Sequence, residues 1–462
     1  MNETLNIDNR EILKKVGLVA GPIALQSLIA SSLNLVDNLM IGGLGELALN
    51  AVGVSIQMFF IFWMLIFGFS SGTATFMAQF FGAGDIASIR KTMGFAVIVN
   101  FSMGVIFFLG AFFFPEYILK IFTNIPEAID AGIPYLRTGA FCFLLVPLTQ
   151  AFTVALRTTQ QTHIPLVASV AGLCINTVLN YCLIYGKFGL PRLEIQGAAA
   201  ATVIARAVEF GIILVFVFGR RNILRGPLKE YFSFSKALAV RVVKNAIPTT
   251  INETMWGLGT SMYVAAFARI GVTAGAAYQA CNTISNLFSM LAFSVGDAAL
   301  ILIGQKLGEG KKEEAFALGR KLLVLGITLG VILGGIALIV GKPILGLFDF
   351  TPEGADMAGK TFIVYASLLW LEVCNGILVS GILRSGGDTR FAAVAEVLTV
   401  WCIGVPVAFL TALKLGWPIY FAALAVRSEG VVKAVILLLR FRSKKWVKNV
   451  IEGLAEGPAE EP

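Results

Sequence analysis

Twelve apolar runs, each long enough to cross a bilayer, leave this chain few folds other than a bundle of membrane-spanning helices. A hydrocarbon core of about 30 Å takes roughly 20 apolar residues in helical form. The runs cover residues 14–41, 47–80, 92–115, 133–155, 164–186, 195–219, 247–270, 273–303, 319–341, 360–383, 391–413 and 418–441. The second and eighth exceed what the membrane needs, and they should tilt or project. The first reads as a span rather than a cleavable leader, because a polar stretch with both signs of charge precedes it and eleven more runs follow.

Charge is correspondingly scarce. Only 14% of the 462 residues are charged, where a soluble domain carries about 25%. That excludes a cytosolic enzyme, a disordered protein and a nucleic-acid-binding protein. The net charge of +8 does not reopen the last of these, because the basic residues sort by side. One side of the membrane receives 25 Lys and Arg, the other 7, and Arg137, Arg206, Arg427 and Lys433 fall within runs. The positive-inside rule then places both termini in the cytoplasm. The longest loop, 220–246, carries seven basic residues and the amphipathic stretch SKALAVRVVKNA, which reads as a linker helix along the membrane surface.

The six cysteines all lie in apolar segments and read as small buried hydrophobes. Cys174 and Cys182 are eight apart on one helix, about 12 Å, too far for a disulfide. His163 is the single histidine, so no metal cluster or catalytic triad can be built on it.

The two halves of the chain echo each other at an offset of about 226 residues. QFFGAGD (79–85) matches QKLGEGK (305–311), ILKIFT (118–123) matches ILGLFD (344–349), and LRTTQQT (156–162) matches LRSGGDT (383–389). Pro126-Glu127 matches Pro352-Glu353, and Pro22 matches Pro248. Each repeat holds six runs, an even number, so both enter the membrane in the same direction and an axis along the membrane normal relates them. The expected architecture is an all-α polytopic membrane protein. It comprises an N-terminal six-helix bundle (14–219), a cytoplasmic linker (220–246), a C-terminal six-helix bundle (247–441) and a cytoplasmic tail (442–462), of which IEGLAEGPAEEP (451–462) reads as disordered. Two bundles facing each other across a cleft suit alternating access better than a continuous pore.

Several segments resemble signatures of the MATE (multidrug and toxic compound extrusion) transporters, in order along nearly the whole chain. They are VDNLMIGGLGELALNAVG (36–53), AQFFGAGD (78–85), IPTTINETMWGLGTSMY (247–263), GQKLGEGKKEEA (304–315) and GILRSGGDTRF (381–391). The NETMWGLG stretch is similar to a DinF-like prokaryotic branch. The resemblance implies a multi-pass protein of a prokaryotic plasma membrane. It would export organic cations and amphipathic compounds in exchange for protons, sodium ions or both. A monomer surrounded by lipid is expected, with small-molecule substrates, no cofactor and no nucleic-acid partner.

Ionisable groups inside a membrane are costly, and each is a functional candidate by default. The acids within runs are Asp37, Glu209, Glu253, Asp297, Glu372, Glu396 and Glu429. Asp37 in the first helix, Asn180 and, one turn deeper, Asn176 in the fifth, and Thr202 in the sixth share the outer half of the N-terminal bundle. Asn34 lies three residues before Asp37, on the same helix face. A carboxylate with neutral oxygen partners suits a hard cation such as Na+; in an apolar pocket the same carboxylate can instead carry a proton. The resemblance matches Asp37 to the family's first-helix acid. Archaeal-type members carry an Asn and then an Asp four residues on in the fifth helix, whereas Asn176 and Asn180 stand here, so a two-carboxylate site is not expected.

Glu253 and Glu372 are the candidates in the C-terminal half, matching only approximately the acids that Vibrio-type members place in these two helices. Arg206 with Glu209 and Glu429 with Lys433 have the spacing of intrahelical ion pairs. Glu396 and Asp297 sit near helix ends and read as solvated. The second helix is dense in Met and aromatic residues, which suit a promiscuous apolar cavity. Most must still pack or face lipid, and Gln57, Met58, Phe60 and Met64 are the candidates to line the cavity. Pro22, Pro147, Pro248 and Pro406 are candidate hinges. No phosphate-binding GxxxxGK[ST] loop is present, so ATP does not drive this chain directly. A flippase for lipid-linked precursors is the competing reading, and it requires a cationic groove.

Overall fold

The computed structural model describes residues 9–219, 222–346 and 350–454. Among them there are helices and no strands. The first half runs α1 (Asn9–Gly42), α2 (Glu46–Gly82), α3 (Ile86–Phe113), α4 (Pro115–Phe122), α5 (Pro126–Gly139), α6 (Cys142–Thr158), α7 (His163–Tyr185) and α8 (Glu194–Phe218). The short α9 (Leu228–Tyr231) follows. The second half runs α10 (Lys236–Ala268), α11 (Val272–Gly308), α12 (Lys312–Leu345), α13 (Pro352–Ser367), α14 (Leu369–Gly376), α15 (Thr389–Thr399), α16 (Val405–Phe409), α17 (Ile419–Val426) and α18 (Ser428–Arg442). Wider π-helical turns occupy Ile377–Leu383, Val400–Gly404 and Leu410–Lys414.

Eight helices are long and apolar enough to cross a membrane, and ten spans result if two bent pairs each count as one. The remaining two of the twelve expected runs depart from that test for a visible reason. The α10 helix is long enough but interrupts its apolar sequence with NETMWGLGTS, and the last run breaks at Arg427 between α17 and α18. Polar residues cost both helices the hydropathy of a plain span.

The repeat is written into local geometry. Pro126 and Pro352 each open a helix, where the missing N–H is no loss and φ is already set. The helices they start bend at the same place, α5 against α6 by 44° and α13 against the α14 helix by 44°. Pro22 and Pro248 lie inside α1 and α10, and both helices run on through them. The two GAGD- and GEGK-type turns use positive φ at Gly84 and Gly310.

The chain divides into two compact units. Of the described residues, one comprises Leu25–Met77 and Gly84–Val243; the other comprises 9–24, Ala78–Ala83 and Lys244–Gly453. The first unit is centred on Phe62, Ile66, Leu119, Leu136 and Phe143. The second is centred on Tyr263, Phe267, Tyr278 and Tyr365. Within the second unit the ends of α2 and α11 cross closely. A Cβ on Gly82 would stand 1.9 Å from the Gln305 carbonyl oxygen, and one on Gly308 would stand 1.8 Å from that of Gln79. These are matched positions of the repeat, so each copy's glycine admits the other copy's backbone.

Three expectations change. The amphipathic stretch 235–246 is not a separate surface helix: α10 begins at Lys236 and continues unbroken through the seventh run. The tail does not begin at 442. Trp446 is fully buried, its ring 5.8 Å from that of Phe441, and its Nε1 donates to the Phe441 carbonyl at 3.1 Å. Gln79 holds the same segment, donating to the Lys448 carbonyl at 3.1 Å and to that of Ser385 at 2.8 Å, and accepting from the Val450 N–H at 2.8 Å. Residues 455–462, expected as disordered, lie outside the described residues. Finally, Cys174 and Cys402 are exposed on helix surfaces, while the other four cysteines are buried.

Candidate functional site

In the first unit α7 and α8 pack tightly because small residues face each other. Gly197 on α8 lies against the Leu183 backbone, where a Cβ would come within 2.7 Å, and Ala198, Ala201 and Ala205 are buried along the same helix. Small residues let helix backbones approach without an aqueous hydrophobic drive. The approach brings Asn176 and Asn180, one turn apart on α7, against Thr202 on α8 and Asp37 on α1.

The four polar groups form one hydrogen-bonded chain. The Asn180 side-chain amide donates to the Asp37 carboxylate and, at 3.0 Å, to Asn176 Oδ1. Asn176 donates to Thr202 Oγ1 at 3.2 Å, and Thr202 donates to the Ala198 carbonyl at 3.0 Å. Asn176 and Asn180 are fully buried and Asp37 is half-buried. One acceptor is left over: the buried Asn180 Oδ1 has no donor among the described residues. An orphaned buried oxygen beside a carboxylate is unusual and calls for a cation or an ordered water. The side chain of Asn34 lies outside the described residues.

A second polar string approaches the first. Arg206 pairs with Glu209 at 2.7 Å, as their spacing suggests. Glu209 accepts from Ser169 Oγ at 2.7 Å, Ser169 accepts from Gln26 at 3.0 Å, and Gln26 accepts from Arg157 at 2.6 Å. Arg206 is close enough to act on the Asp37 charge, as Asp37 is on Tyr135 from α5. A cavity of about 10 Å³ opens onto both strings, with Asn176, Thr202, Arg206 and Glu209 in its wall. Its space holds about one water molecule or a bare ion, far less than a drug-sized site. Sequence reasoning missed Gln26, Ser169, Arg157 and Tyr135. Gln26 was visible as a lone polar residue in an apolar stretch; the others needed the packing.

In the second unit Glu253 and Glu372 are not lone carboxylates. Arg384 Nη2 pairs with Glu253 Oε1, and Arg427 Nη1 meets Glu372 Oε2 at 3.2 Å. Glu372 also accepts from Ser289 Oγ at 3.1 Å, and Arg427 lies over the Tyr365 ring at 4.2 Å. Arg384 falls just past an apolar run and had counted as a loop residue, yet it is 1% exposed. Glu396 is not solvated either: Lys433 reaches it at 3.2 Å and Asn252 at 2.8 Å. Asp297 is half-buried. Soft span boundaries had placed these groups nearer water than the packing does.

The proposed cavity lining on α2 divides by helix face. Met58 turns inward with Phe62 and Ile66 and belongs to the core, which removes it from a cavity wall. Gln57 and Phe60 are exposed and Met64 half-buried. At i, i+3 and i+7 these three make one stripe.

A family model described as MatE matches residues 22–182 and again 246–410. The chain belongs to the MATE family. Its two matches fall one on each half of the internal repeat, so the MATE signature is itself duplicated here. A probable multidrug resistance protein, YoeA of Bacillus subtilis, is 26% identical over 460 residues, covering 96% of both chains. A probable multidrug resistance protein, NorM of Thermotoga maritima, is 24% identical over 448 residues, covering 96% of this chain and 94% of that one. A MATE structure solved in complex with MaL6 superposes with a TM-score of 0.86 at 16% identity, covering 94% and 97% of the two chains. A MOP superfamily transporter from Pyrococcus furiosus gives 0.85 at 17% identity, covering 93% and 95%. MATE proteins are transporters, not enzymes, and the fold is that of the MATE structures.

Proposed function

We propose that this MATE transporter is a secondary antiporter. It exports amphipathic or cationic small molecules from a prokaryotic cell in exchange for protons or sodium ions, and Asp37 carries the ion. The observation that supports this most is the orphaned Asn180 oxygen beside the Asp37 carboxylate. Together with Asn176 Oδ1 and Thr202 Oγ1 it offers the hard oxygen set that a small monovalent cation prefers. A proton would use the carboxylate alone. Asn34 is the remaining candidate on α1. Glu253 and Glu372 are each held by an arginine, which makes them weaker candidates than Asp37 for carrying the ion.

Ion binding draws Asp37, Asn180 and Thr202 together and so favours one packing of α1, α7 and α8 over another. The ion shifts the equilibrium by the difference in its affinity for the two. The exposed stripe Gln57, Phe60 and Met64 is the part of α2 that meets substrate. Both termini lie in the cytoplasm, on the strength of the basic-residue asymmetry, and the protein acts as a monomer among lipids of the plasma membrane. A lipid-pyrophosphate flippase is disfavoured. Arg206, Arg384, Arg427 and Lys433 all hold carboxylates and are not available to an anionic headgroup.

The test is drug efflux from proteoliposomes under a pH gradient or a sodium gradient, each imposed alone. The expected result is efflux under at least one and its loss in Asp37→Asn. Efflux under neither, or full transport by Asp37→Asn, overturns the assignment.

A further inference from the structure

One buried lysine of the second unit is shared by two carboxylates. Four acids of this unit, Glu253, Glu372, Glu396 and Glu429, are paired with three cations, Arg384, Arg427 and Lys433. Glu253 pairs with Arg384 and Glu372 with Arg427. Lys433, by contrast, serves two carboxylates at once. Its Nζ lies 2.6 Å from Glu429 Oε1 and 3.2 Å from Glu396 Oε1. The side chains of Lys433, Glu429 and Glu396 are only 7%, 12% and 12% exposed.

The other oxygens are held by neutral donors. Tyr263 donates to Glu429 Oε2 at 3.0 Å, and Asn252 donates to Glu396 Oε2 at 2.8 Å. Every carboxylate oxygen thus has a donor, and the Lys433 ammonium already occupies the space between the two acids and repels a metal ion. A proton needs no such space. Asn252 can serve both protonation states. Its Oδ1 is buried and has no donor among the described residues, so a half-turn of the amide presents that oxygen to a protonated Glu396. The backbone is also specialised here. The π-helical turn Val400–Gly404 begins one turn after Glu396, and such turns gather at functional sites. Gly404 makes room for the acid pair's partner: a Cβ there would stand 2.0 Å from Tyr263 Oη and 3.2 Å from Glu429 Oε2.

We infer that Glu396, Lys433 and Glu429 form a proton-binding site, distinct from the Asp37 cluster, that takes up a single proton shared by the two carboxylates. Uptake makes the triad of two acids and one base neutral, which is the favoured charge state of a buried ionic cluster. The proton belongs to the pair, because Lys433 couples the two carboxylates. The groups acting on the triad come from every side. Glu253 from α10 faces Glu396, with Arg384 and Asp297 behind it. Tyr263 from α10 and Arg427 between α17 and α18 face Glu429, with Tyr365, Tyr278 and Glu372 beyond Arg427. The site deepens the antiport reading and rests on it only for its physiological role.

Infrared difference spectroscopy of the full chain in detergent, stepped from pH 9 to pH 5, reads carboxyl protonation without any transport. The Asp37→Asn background removes the other site. A protonated-carboxyl band is expected in that background. It should vanish in Glu396→Gln and in Glu429→Gln, each of which leaves Lys433 one to one with a single carboxylate and so keeps a balanced pair. Glu372→Gln should leave the band in place. Tyr263→Phe, which keeps the packing and removes one donor to Glu429, should raise the band's midpoint by about half a pH unit or more. No band in the Asp37→Asn background, a band unchanged by both Gln variants, or an unmoved midpoint in Tyr263→Phe overturns the inference. Proton-driven efflux without the band would sink this site and leave the antiporter standing; the band without efflux would do the reverse.

Discussion

Asn180 donates its amide to the Asp37 carboxylate from the facing helix, while its own carbonyl oxygen is buried with no donor. The pair is half-built in the sense that matters for a carrier: the anion is oriented and a second oxygen waits. Asn180→Ala removes both the donor and the spare oxygen. Ion-driven efflux should fall at least about tenfold, with the apparent ion affinity lost before the drug affinity. The ion-concentration dependence of efflux in proteoliposomes checks this. An unchanged dependence would remove Asn180 from the site.

Asn180→Asp places a second carboxylate against Asp37. Two like charges at hydrogen-bond distance cannot both ionise freely, so one of them keeps a proton to higher pH. The variant should shift the pH profile of efflux to the alkaline side, or acquire a stronger sodium requirement as the added charge attracts the cation. Efflux measured across pH with and without sodium decides; a profile identical to that of the parent counts against shared occupancy.

The crossing of α2 and α11 leaves no space at Gly82 or Gly308, where a Cβ would fall within 2 Å of a facing carbonyl oxygen. Overpacking of this kind costs about 1–3 kcal/mol. Gly82→Ala and Gly308→Ala should each lower the melting temperature in detergent by several degrees and by similar amounts. A neutral result at either position would mean that the helices separate there at little cost.

Trp446 is enclosed by Phe316 and Phe441 and anchored through its indole N–H. Removing a buried Trp side chain costs about 3–5 kcal/mol. Trp446→Ala should melt markedly earlier, and truncation after Lys444 should do the same, whereas truncation after Leu454 should be silent in a melting experiment. Equal melting of all three would show that the segment adds nothing.

The Asp37 cluster was legible in the sequence because an acid, two amides and a hydroxyl stand out against apolar helices, and helical rise puts them in the outer half of one bundle. The repeat was legible because Pro126 and Pro352 open helices for the same reason in both halves. Arg384 and Glu396 were not legible. They lie at the ends of apolar runs, where one turn either way separates water from core, and only packing across helices decides which. Met58 misled for a related reason: a helix this rich in Met and Phe has no polar face from which to tell inside from outside. The buried Trp446 segment carried charge on both sides of its anchor, so its composition resembled that of a free tail.

A contact in which each partner offers the same residue to the other is what a two-fold homodimer makes. The Gly82 and Gly308 crossing has that form within a single polypeptide, each glycine lying on the other repeat's glutamine backbone. The arrangement suits an ancestor of half this length that met a copy of itself at this point. Since duplication the two halves have been free to diverge in their ion chemistry. They have not been free to diverge here, because a side chain gained by either copy is met by the backbone of the other.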